Sequence, residues 1–145
     1  MKPISEILAG HPVHCLPASA TVLAAAREMS DKHIGAILVL DESRRLVGIF
    51  TERDLMLRVI VAGRAPESVR LAEVMTRELY TAGPDDRVSL VAQELQDRHI
   101  RHVPVLKDGR IVGILSLRDL LRAHLSVKEQ EVQRLTAYIQ GNEPG

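Results

Sequence analysis

Two short segments of the chain each place a hydroxyl and a carboxylate three residues apart, directly after an apolar run. The first has Thr51 and Asp54, and the second has Ser116 and Asp119. If each segment begins a helix, both side chains lie at the positive end of the helix dipole, beside N–H groups that favour an anion. A carboxylate there can accept hydrogen bonds from two neighbouring hydroxyls, such as those of a ribose. The spacing is therefore suited to a phosphorylated sugar.

The same spacing also has a purely structural explanation. A Thr or Ser followed three residues later by an acid is close to a capping box, in which the two side chains bond backbone N–H groups at a helix start. Both explanations predict helices that begin at Thr51 and Ser116. They differ in whether the carboxylates also bind a ligand.

Both segments belong to an internal repeat. Gly48–Leu55 is matched 65 residues later by Gly113–Leu120, and the preceding Lys32-His33-Ile34 is matched 66 residues later by Arg98-His99-Ile100. A repeat of this length is one supersecondary unit used twice. Any pocket that one unit builds should therefore have a second version nearby.

Each unit is predicted to run connector, strand, helix, strand, strand, helix. Apolar residues recur every three or four positions in the first helix of each unit, with Ser19 and Asp85 as expected N-caps. The hairpin runs are continuously apolar, which indicates strands covered on both faces. The expected strands span residues 13–16, 36–40 and 46–50 in the first unit and 79–82, 103–106 and 111–115 in the second.

The last helix is longer than its sister, since nothing breaks it between Ser116 and Gly141. Its apolar residues form a stripe beyond the end of the repeat. The stripe either folds over its own domain or packs against another subunit, and we expect the second. The stripe consists of Leu121, Leu125, Val132, Leu135 and Ile139.

The composition excludes several classes of protein. The 145 residues include 19 basic and 19 acidic side chains, so no overall positive charge attracts nucleic acid. No apolar stretch approaches the roughly 20 residues of a membrane span, and no secretory signal is present. The single cysteine fits a reducing compartment. We expect a soluble, cytoplasmic protein.

Histidine and cysteine near the N-terminus raise the question of a metal site. His11, His14 and Cys15 are close in sequence, but adjacent residues of a strand point to opposite faces, so a site would need further ligands. We expect no bound metal, and we expect His33 and His99 to lie at helix ends. No catalytic set stands out, so the chain is not expected to be an enzyme.

Taken together, the two units resemble a pair of cystathionine-beta-synthase (CBS) domains, called a Bateman module. The resemblance covers about residues 4–124 and depends on the Thr-Glu-Arg-Asp-Leu segment at Thr51, the Arg-His-Val-Pro-Val segment at Arg101 and the Glu-Val-Met-Thr segment at Glu73. It implies an α/β (α+β) fold of tandem β-α-β-β-α repeats packed sheet to sheet about a pseudo-twofold axis. The units would be 1–65 and 66–125, with a helical extension over 126–145.

The resemblance also implies a site in each of two clefts between the repeats. In relatives the motif Asp holds the ribose hydroxyls and the motif Thr or Ser helps at the ribose or phosphate. These roles match Asp54 with Thr51 in one cleft and Asp119 with Ser116 in the other. The residues that match the frame of the adenine are His14, Tyr80 and Ile100.

The two clefts are expected to differ in charge. Arg101 and His102 stand where relatives place phosphate contacts, and the first repeat has Gly35 and Ala36 at that place. With Arg118 nearby in sequence, one cleft would combine two fixed positive charges with a titratable imidazole, which favours a phosphate. Alternatively, Arg101 pairs with a surface acid.

The function implied by the resemblance is a regulatory module that senses AMP, ADP or ATP, with no obligatory cofactor. Its expected partners are an adenosine-containing small molecule, a second copy in a homodimer, and a regulated protein on another chain. The alternative is an interaction or assembly domain whose clefts stay empty. In that case Thr51 and Ser116 only cap helices.

Overall fold

The computed structural model describes residues 2–8 and 12–139, with the backbone alone at 126 and 127. The first repeat is built on a three-stranded sheet in which β1 is parallel to β2 and β2 is antiparallel to β3. Its strands are β1 (Cys15–Pro17), β2 (Ala36–Leu40) and β3 (Leu46–Thr51), and α1 (Val22–Lys32) joins β1 to β2. Ala36 to Val39 are all buried, as the continuous apolar run predicted.

The second repeat has the same order of elements but only a two-stranded sheet. Helix α4 (Val88–Asp97) precedes the antiparallel pair β4 (His102–Lys107) and β5 (Arg110–Ser116). The strand predicted over 79–82 is wrong, because only Ala82 forms a bridge, to Val105. In the first repeat the Leu38 N–H donates to His14 O at 3.1 Å. In the second repeat Pro104 stands where the first has Leu38. Pro104 has no N–H to donate, so the hydrogen bonds between β4 and the segment before α4 are interrupted there.

The helices that follow the hairpins begin where the sequence predicted. Thr51 caps α2 (Glu52–Asp54), which continues as a π-helix over Leu55–Ile60. Helix α5 (Leu117–Ile139) starts directly after Ser116. Its predicted end at Gly141 lies outside the described residues.

The predicted N-caps Ser19 and Asp85 are wrong. Helix α1 is capped by Thr21, whose hydroxyl accepts the Ala24 N–H at 3.1 Å, and α4 has Arg87 at the cap position with no side-chain bond. The first N–H groups of both helices are bonded by carbonyls distant in sequence, since Val22 donates to Val69 O and Val88 donates to Lys2 O. Partners so far away cannot be read from local sequence.

The two connectors pack on each other's repeat. A 3-10 turn (Ile4–Ile7) near the N-terminus buries Ile4 among core residues of the second repeat. The second connector, α3 (Leu71–Val74), buries Leu71 in the core of the first repeat. Each unit of sequence therefore completes the core of the other.

The two sheets face each other, as the tandem-repeat prediction requires. Strand residues alternate between two sides. Ile37 and Val39 pack against the helices, and the buried Leu38 and Ile49 form a cluster in which Ile114 of the second repeat participates. The space between the repeats is thus partly filled by this cluster and partly left as cavities.

The C-terminal part of α5 does not fold back onto its own domain. Leu121 packs against the core of the second repeat. Beyond it, Leu125, Val132, Leu135 and Ile139 are 58 to 81% exposed. None of the helices described, over 2–8 and 12–139, combines the length and the apolar character required to cross a membrane.

Candidate functional site

The main candidate site is a cavity of about 720 Å³ that both repeats line. The first repeat contributes the start of α2, and the second contributes its connector and the segment leading into β4. Six of the residues singled out in the sequence meet here. They are Thr51, Asp54, Tyr80, Ile100, Arg101 and His102.

The Asp54 carboxylate is buried, with 7% of the residue exposed, and bonds the start of its own helix. Its Oδ2 accepts the Thr51 N–H at 3.0 Å and the Thr51 hydroxyl at 3.1 Å, while the Thr51 Oγ accepts the Asp54 N–H at 3.2 Å. This is a complete capping box. The structural explanation of the motif is therefore confirmed for this pair, and the carboxylate is held rigidly at the cavity wall.

Thr76 is a further residue of the site, and the sequence reasoning did not assign it a role there. Its hydroxyl lies 3.1 Å from Asp54 Oδ1 and 3.4 Å from Asp54 Oδ2. An antiparallel bridge between Thr76 and Ile49 places it there. The Glu-Val-Met-Thr segment singled out in the sequence ends in Thr76. No feature of the local sequence shows, however, that the Thr76 hydroxyl reaches a carboxylate 22 residues earlier.

The glycine before each motif makes room for a connector. A Cβ on Gly48 would lie 2.6 Å from Met75 Sδ and 3.0 Å from Thr76 O, and one on Gly113 would lie 2.5 Å from Leu8 Cδ2. At both glycines, the group that approaches closely is thus another segment of the chain itself.

The basic end of the larger cavity holds Arg101 and His102. Burial lowers the pKa of the His102 imidazole, the neighbouring carboxylates of Glu52 and Asp119 oppose that shift, and Arg101 reinforces it. Arg118, expected beside Arg101, is exposed at the start of α5 and lines neither of the two cavities described. The Leu117 N–H donates to Arg101 O at 2.7 Å, so the backbone segments of the two arginines are adjacent, and a role of Arg118 at the phosphate stays a prediction.

A second cavity, of about 230 Å³, contains the other motif pair. Its walls include Ser116, Asp119 and His14. The Ser116 N–H donates to Asp119 Oδ2 at 2.9 Å and the Asp119 N–H donates to Ser116 Oγ at 3.1 Å, so this pair also bonds its helix start. His14 Nδ1 lies 3.5 Å from Glu28 Oε1. The two cavities are unequal in volume as well as in lining.

A thin partition separates the cavities. Gly35 and His102 line both of them. A Cβ on Gly35 would lie 3.4 Å from the His102 ring and 3.4 Å from Glu52 Oε1. The imidazole thus faces both cavities.

The remaining wall of the larger cavity is largely apolar. Tyr80 and Ile100 are both partly buried there. The Arg98 guanidinium carbon lies 4.8 Å from the centre of the Tyr80 ring, a cation–π contact that fixes the ring. Burial, and then Glu94 and Asp86, raise the pKa of the Tyr80 hydroxyl, while Arg98 lowers it. A neutral phenol and an aliphatic side chain form a wall suited to a flat base.

The histidines and the cysteine form no metal centre in the part of the chain that the structure describes. His11 lies outside the described residues. Within 2–8 and 12–139, no group of three His, Cys, Asp or Glu side chains is placed to hold a metal ion. Cys15 is free and exposed, and partial burial of its thiol raises the pKa, which disfavours the reactive thiolate. His33 and His99 end their helices in the left-handed conformation, as expected of helix-end residues.

Comparison with known proteins agrees with this geometry. The model of a family described as the CBS domain matches residues 4–60 and again residues 71–126. A mitochondrial CBS domain-containing protein of Arabidopsis thaliana, CBSX3, is 40% identical over 125 residues, which is 83% of this chain and 61% of that protein. The chain thus spans less than two thirds of this relative's length.

Solved structures show the same fold. A CBS-domain containing protein of Agrobacterium tumefaciens, 28% identical, superposes with a TM-score of 0.78 over 84% of this chain and 92% of its own. A hexameric CBS-CP12 protein of bloom-forming cyanobacteria, 29% identical, gives a TM-score of 0.76 over 83% of this chain and 70% of its own.

Proposed function

The chain belongs to the CBS domain family and carries two copies of the domain, and on this premise we propose that it is a sensor that binds AMP, ADP or ATP in the larger cavity. CBS domain pairs are in general regulatory modules that bind small ligands. The resemblance implies the adenine nucleotide, and the chemistry of this chain's own cavity walls supports it. No catalytic step is part of the proposal.

The proposal depends on one observation, the set of residues that line the larger cavity. The Thr51–Asp54 pair and the Arg101–His102 pair line one cavity of about 720 Å³, together with Tyr80. A carboxylate suits a sugar diol, an arginine suits phosphate oxygens in bidentate fashion, and an aromatic wall suits a base. The volume lies in the range of small-molecule sites, roughly 300–1,000 Å³.

The Arg101–His102 pair favours a ligand with phosphate. Arg101 is permanently positive, and a phosphate would supply a negative partner for it and an acceptor for an N–H of the His102 imidazole. S-adenosylmethionine has one carboxylate beside a positive sulfonium and an ammonium, so it would gain less from these two residues than a phosphate does. Glu52, which also lines the cavity, repels phosphate mildly and favours ligands with few phosphates.

The smaller cavity is the weaker candidate. Asp119 and Ser116 repeat the motif there, but its volume of about 230 Å³ lies below the usual range of ligand pockets. We therefore expect the larger cavity to fill first.

The output of the sensor would be a change in assembly. CBS domains can oligomerise, as the hexameric relative shows. In this chain Met56, Leu57, Ile60 and Val61 are exposed on the π-helix and the residue after it, and together with the stripe on α5 they offer a face for a second copy. A ligand shifts such an assembly only by its differential affinity for two arrangements, and a ligand that contacts both repeats is placed to have one.

The test is nucleotide binding by isothermal titration calorimetry with wild type and Asp54→Asn. We expect AMP to bind wild type, and Asp54→Asn to weaken binding about 10- to 100-fold, the loss expected for hydrogen bonds to a charged acceptor. Asp97→Asn, an exposed acid of α4 outside both cavities, is the control and should bind as wild type does. If AMP, ADP and ATP do not bind at about millimolar concentration, the cavities serve no nucleotide and the chain is an assembly domain.

A further inference from the structure

Between the motif Asp and the next arginine, the helix that contains Asp54 has one residue more than its sister. Arg122 is three residues after Asp119, whereas Arg58 is four residues after Asp54. The structure accommodates the extra residue in the π-helix Leu55–Ile60, because an i→i+5 turn holds more residues than an i→i+4 turn.

The π-helix preserves the buried face and directs Arg58 to the larger cavity. Val59 and Ala123, the residues after the two arginines, are both buried. Arg58 lines the cavity that contains Asp54, whereas Arg122 is not among the residues that line the smaller cavity. π-turns are frequent at functional sites, and here the turn brings a guanidinium to the motif carboxylate.

Arg58 ties that carboxylate to the second connector. Its Nη1 lies 3.2 Å from Val74 O and 3.2 Å from Met75 O, and its Nε lies 3.7 Å from Asp54 Oδ1. The next residue of the connector, Thr76, bonds the same carboxylate. One side chain therefore links the carboxylate, the π-helix and the end of α3.

These contacts nearly fill the acceptor capacity of Asp54. A carboxylate has about four lone-pair sites. Oδ2 is occupied by the N–H and the hydroxyl of Thr51, and Oδ1 faces the Thr76 hydroxyl at 3.1 Å and the Arg58 guanidinium at 3.7 Å. A sugar diol that makes two hydrogen bonds to Oδ1 must displace the Thr76 hydroxyl and compete with the Arg58 guanidinium, whose 3.7 Å contact is an ion pair and not a hydrogen bond.

We propose that Arg58 is a positioning residue that holds Asp54 in a closed state, and that the hydroxyls of the bound nucleotide replace Arg58 and Thr76 at Oδ1. This inference depends on the proposed function. When Arg58 leaves Oδ1, its bonds to Val74 O and Met75 O are broken or rearranged. Binding therefore loosens the second connector and the π-helix, which carries the exposed Met56, Leu57 and Ile60. Ligand occupancy is thus transmitted to an apolar surface of the molecule.

The test compares AMP affinity and connector mobility in Arg58→Met, which retains the long apolar stem, and in Arg58→Lys, which retains the charge without the planar fork. We expect Arg58→Met to bind AMP about three- to tenfold more tightly than wild type, the size expected for one exposed ion pair and hydrogen bonds from a charged group. Arg58→Lys should lie between the two. Hydrogen exchange of residues 71–76 should accelerate when AMP binds wild type, and should be fast in Arg58→Met with or without AMP.

Arg64→Met is the matched control. Arg64 also holds the second connector, through Glu73 at 2.7 Å, but it does not line the larger cavity. The Arg64→Met variant should have a looser connector and an unchanged AMP affinity. This result would separate the effect of releasing Asp54 from the effect of general destabilisation.

The outcomes distinguish this inference from the proposed function. If wild type binds AMP and Arg58→Met binds equally or more weakly, the inference is overturned and the proposed function stands. If Arg58→Met binds and wild type does not, the inference is supported. If neither binds, both are overturned. Should Arg58→Met fail to fold, Arg58→Lys decides in the same way.

Discussion

Asp54 and Asp119 each bond the start of their own helix, and this does not conflict with a role in ligand binding. A carboxylate fixed by a capping box has little side-chain freedom left to lose, so a ligand that bonds its remaining sites does so at a lower entropic penalty. The two carboxylates differ in what else surrounds them. Thr76 and Arg58 contact Asp54, and a ligand that bonds this carboxylate must compete with them.

The pKa of His102 predicts how stability depends on pH. Because burial is the main cause and lowers the pKa, the folded chain favours the neutral imidazole. In the unfolded chain His102 binds a proton at the ordinary pKa of about 6.5. The stability that the neutral His102 imidazole contributes is therefore complete above this pH, and it is lost as the pH falls from there toward the lower pKa of the folded chain. We expect the free energy of unfolding, measured by urea denaturation between pH 8 and pH 5, to fall less steeply in His102→Gln than in wild type.

His99→Asn is the control for this experiment. His99 is exposed and has a positive φ of 56°, which Asn tolerates well. The pH dependence of His99→Asn should match that of wild type. An equal slope in His102→Gln and wild type would contradict the role assigned to His102.

The site was predictable where it depends on the repeat and not where it depends on contacts between distant segments. Thr51, Asp54, Arg101 and His102 were expected from the motif and the resemblance, and they share a cavity. Arg58 was not predicted because a one-residue insertion changes which way a helical side chain points. Arg118 lines neither cavity, and its role stays a prediction, because nearness in sequence to a motif does not fix where a side chain points.

At the scale of elements, the hairpins and the starts of the helices that follow them were predictable, whereas the starts of α1 and α4 were not. A continuous apolar run defines β2 and β4 almost to the residue. The first N–H groups of α1 and α4 bond the carbonyls of Val69 and Lys2, just before the two connectors. The missing strand of the second repeat depends on Pro104, whose effect appears only when its neighbour across the sheet is known.

The exposed stripe on α5 leads to a prediction about assembly. Val132 and Leu135 are 61% and 63% exposed, and burying each against a second copy would contribute about 1.5–3 kcal/mol. We expect wild type to be a dimer by native mass spectrometry. Val132→Ser combined with Leu135→Ser should therefore weaken association by at least about a hundredfold.

Gln130→Ser, on the opposite side of the same helix, should leave the dimer intact. A monomeric wild type, or a double variant that remains fully dimeric, would show that this stripe is not the subunit contact.

At the scale of the whole molecule, the exchanged connectors make the two repeats mutually dependent. Ile4 is fully buried in the second repeat, and its N–H donates to Asp86 O at 2.8 Å. We expect Ile4→Ala to lower the free energy of unfolding by about 2–4 kcal/mol. The accompanying rise in hydrogen exchange should appear in α4, far along the chain, more than in α1.

Glu6→Ala in the same turn is the control, since Glu6 is exposed. It should change stability by no more than about 0.5 kcal/mol. Exchange that rises first in α1 after Ile4→Ala would contradict the connector assignment.

The position of that first turn has a consequence for the order of folding. Ile4 belongs to the same core cluster as Leu120, although the two residues are far apart in the sequence. Contacts of such long range require a large loop to close before they can form. The second repeat therefore completes its core only when the segment that holds Ile4 docks onto it.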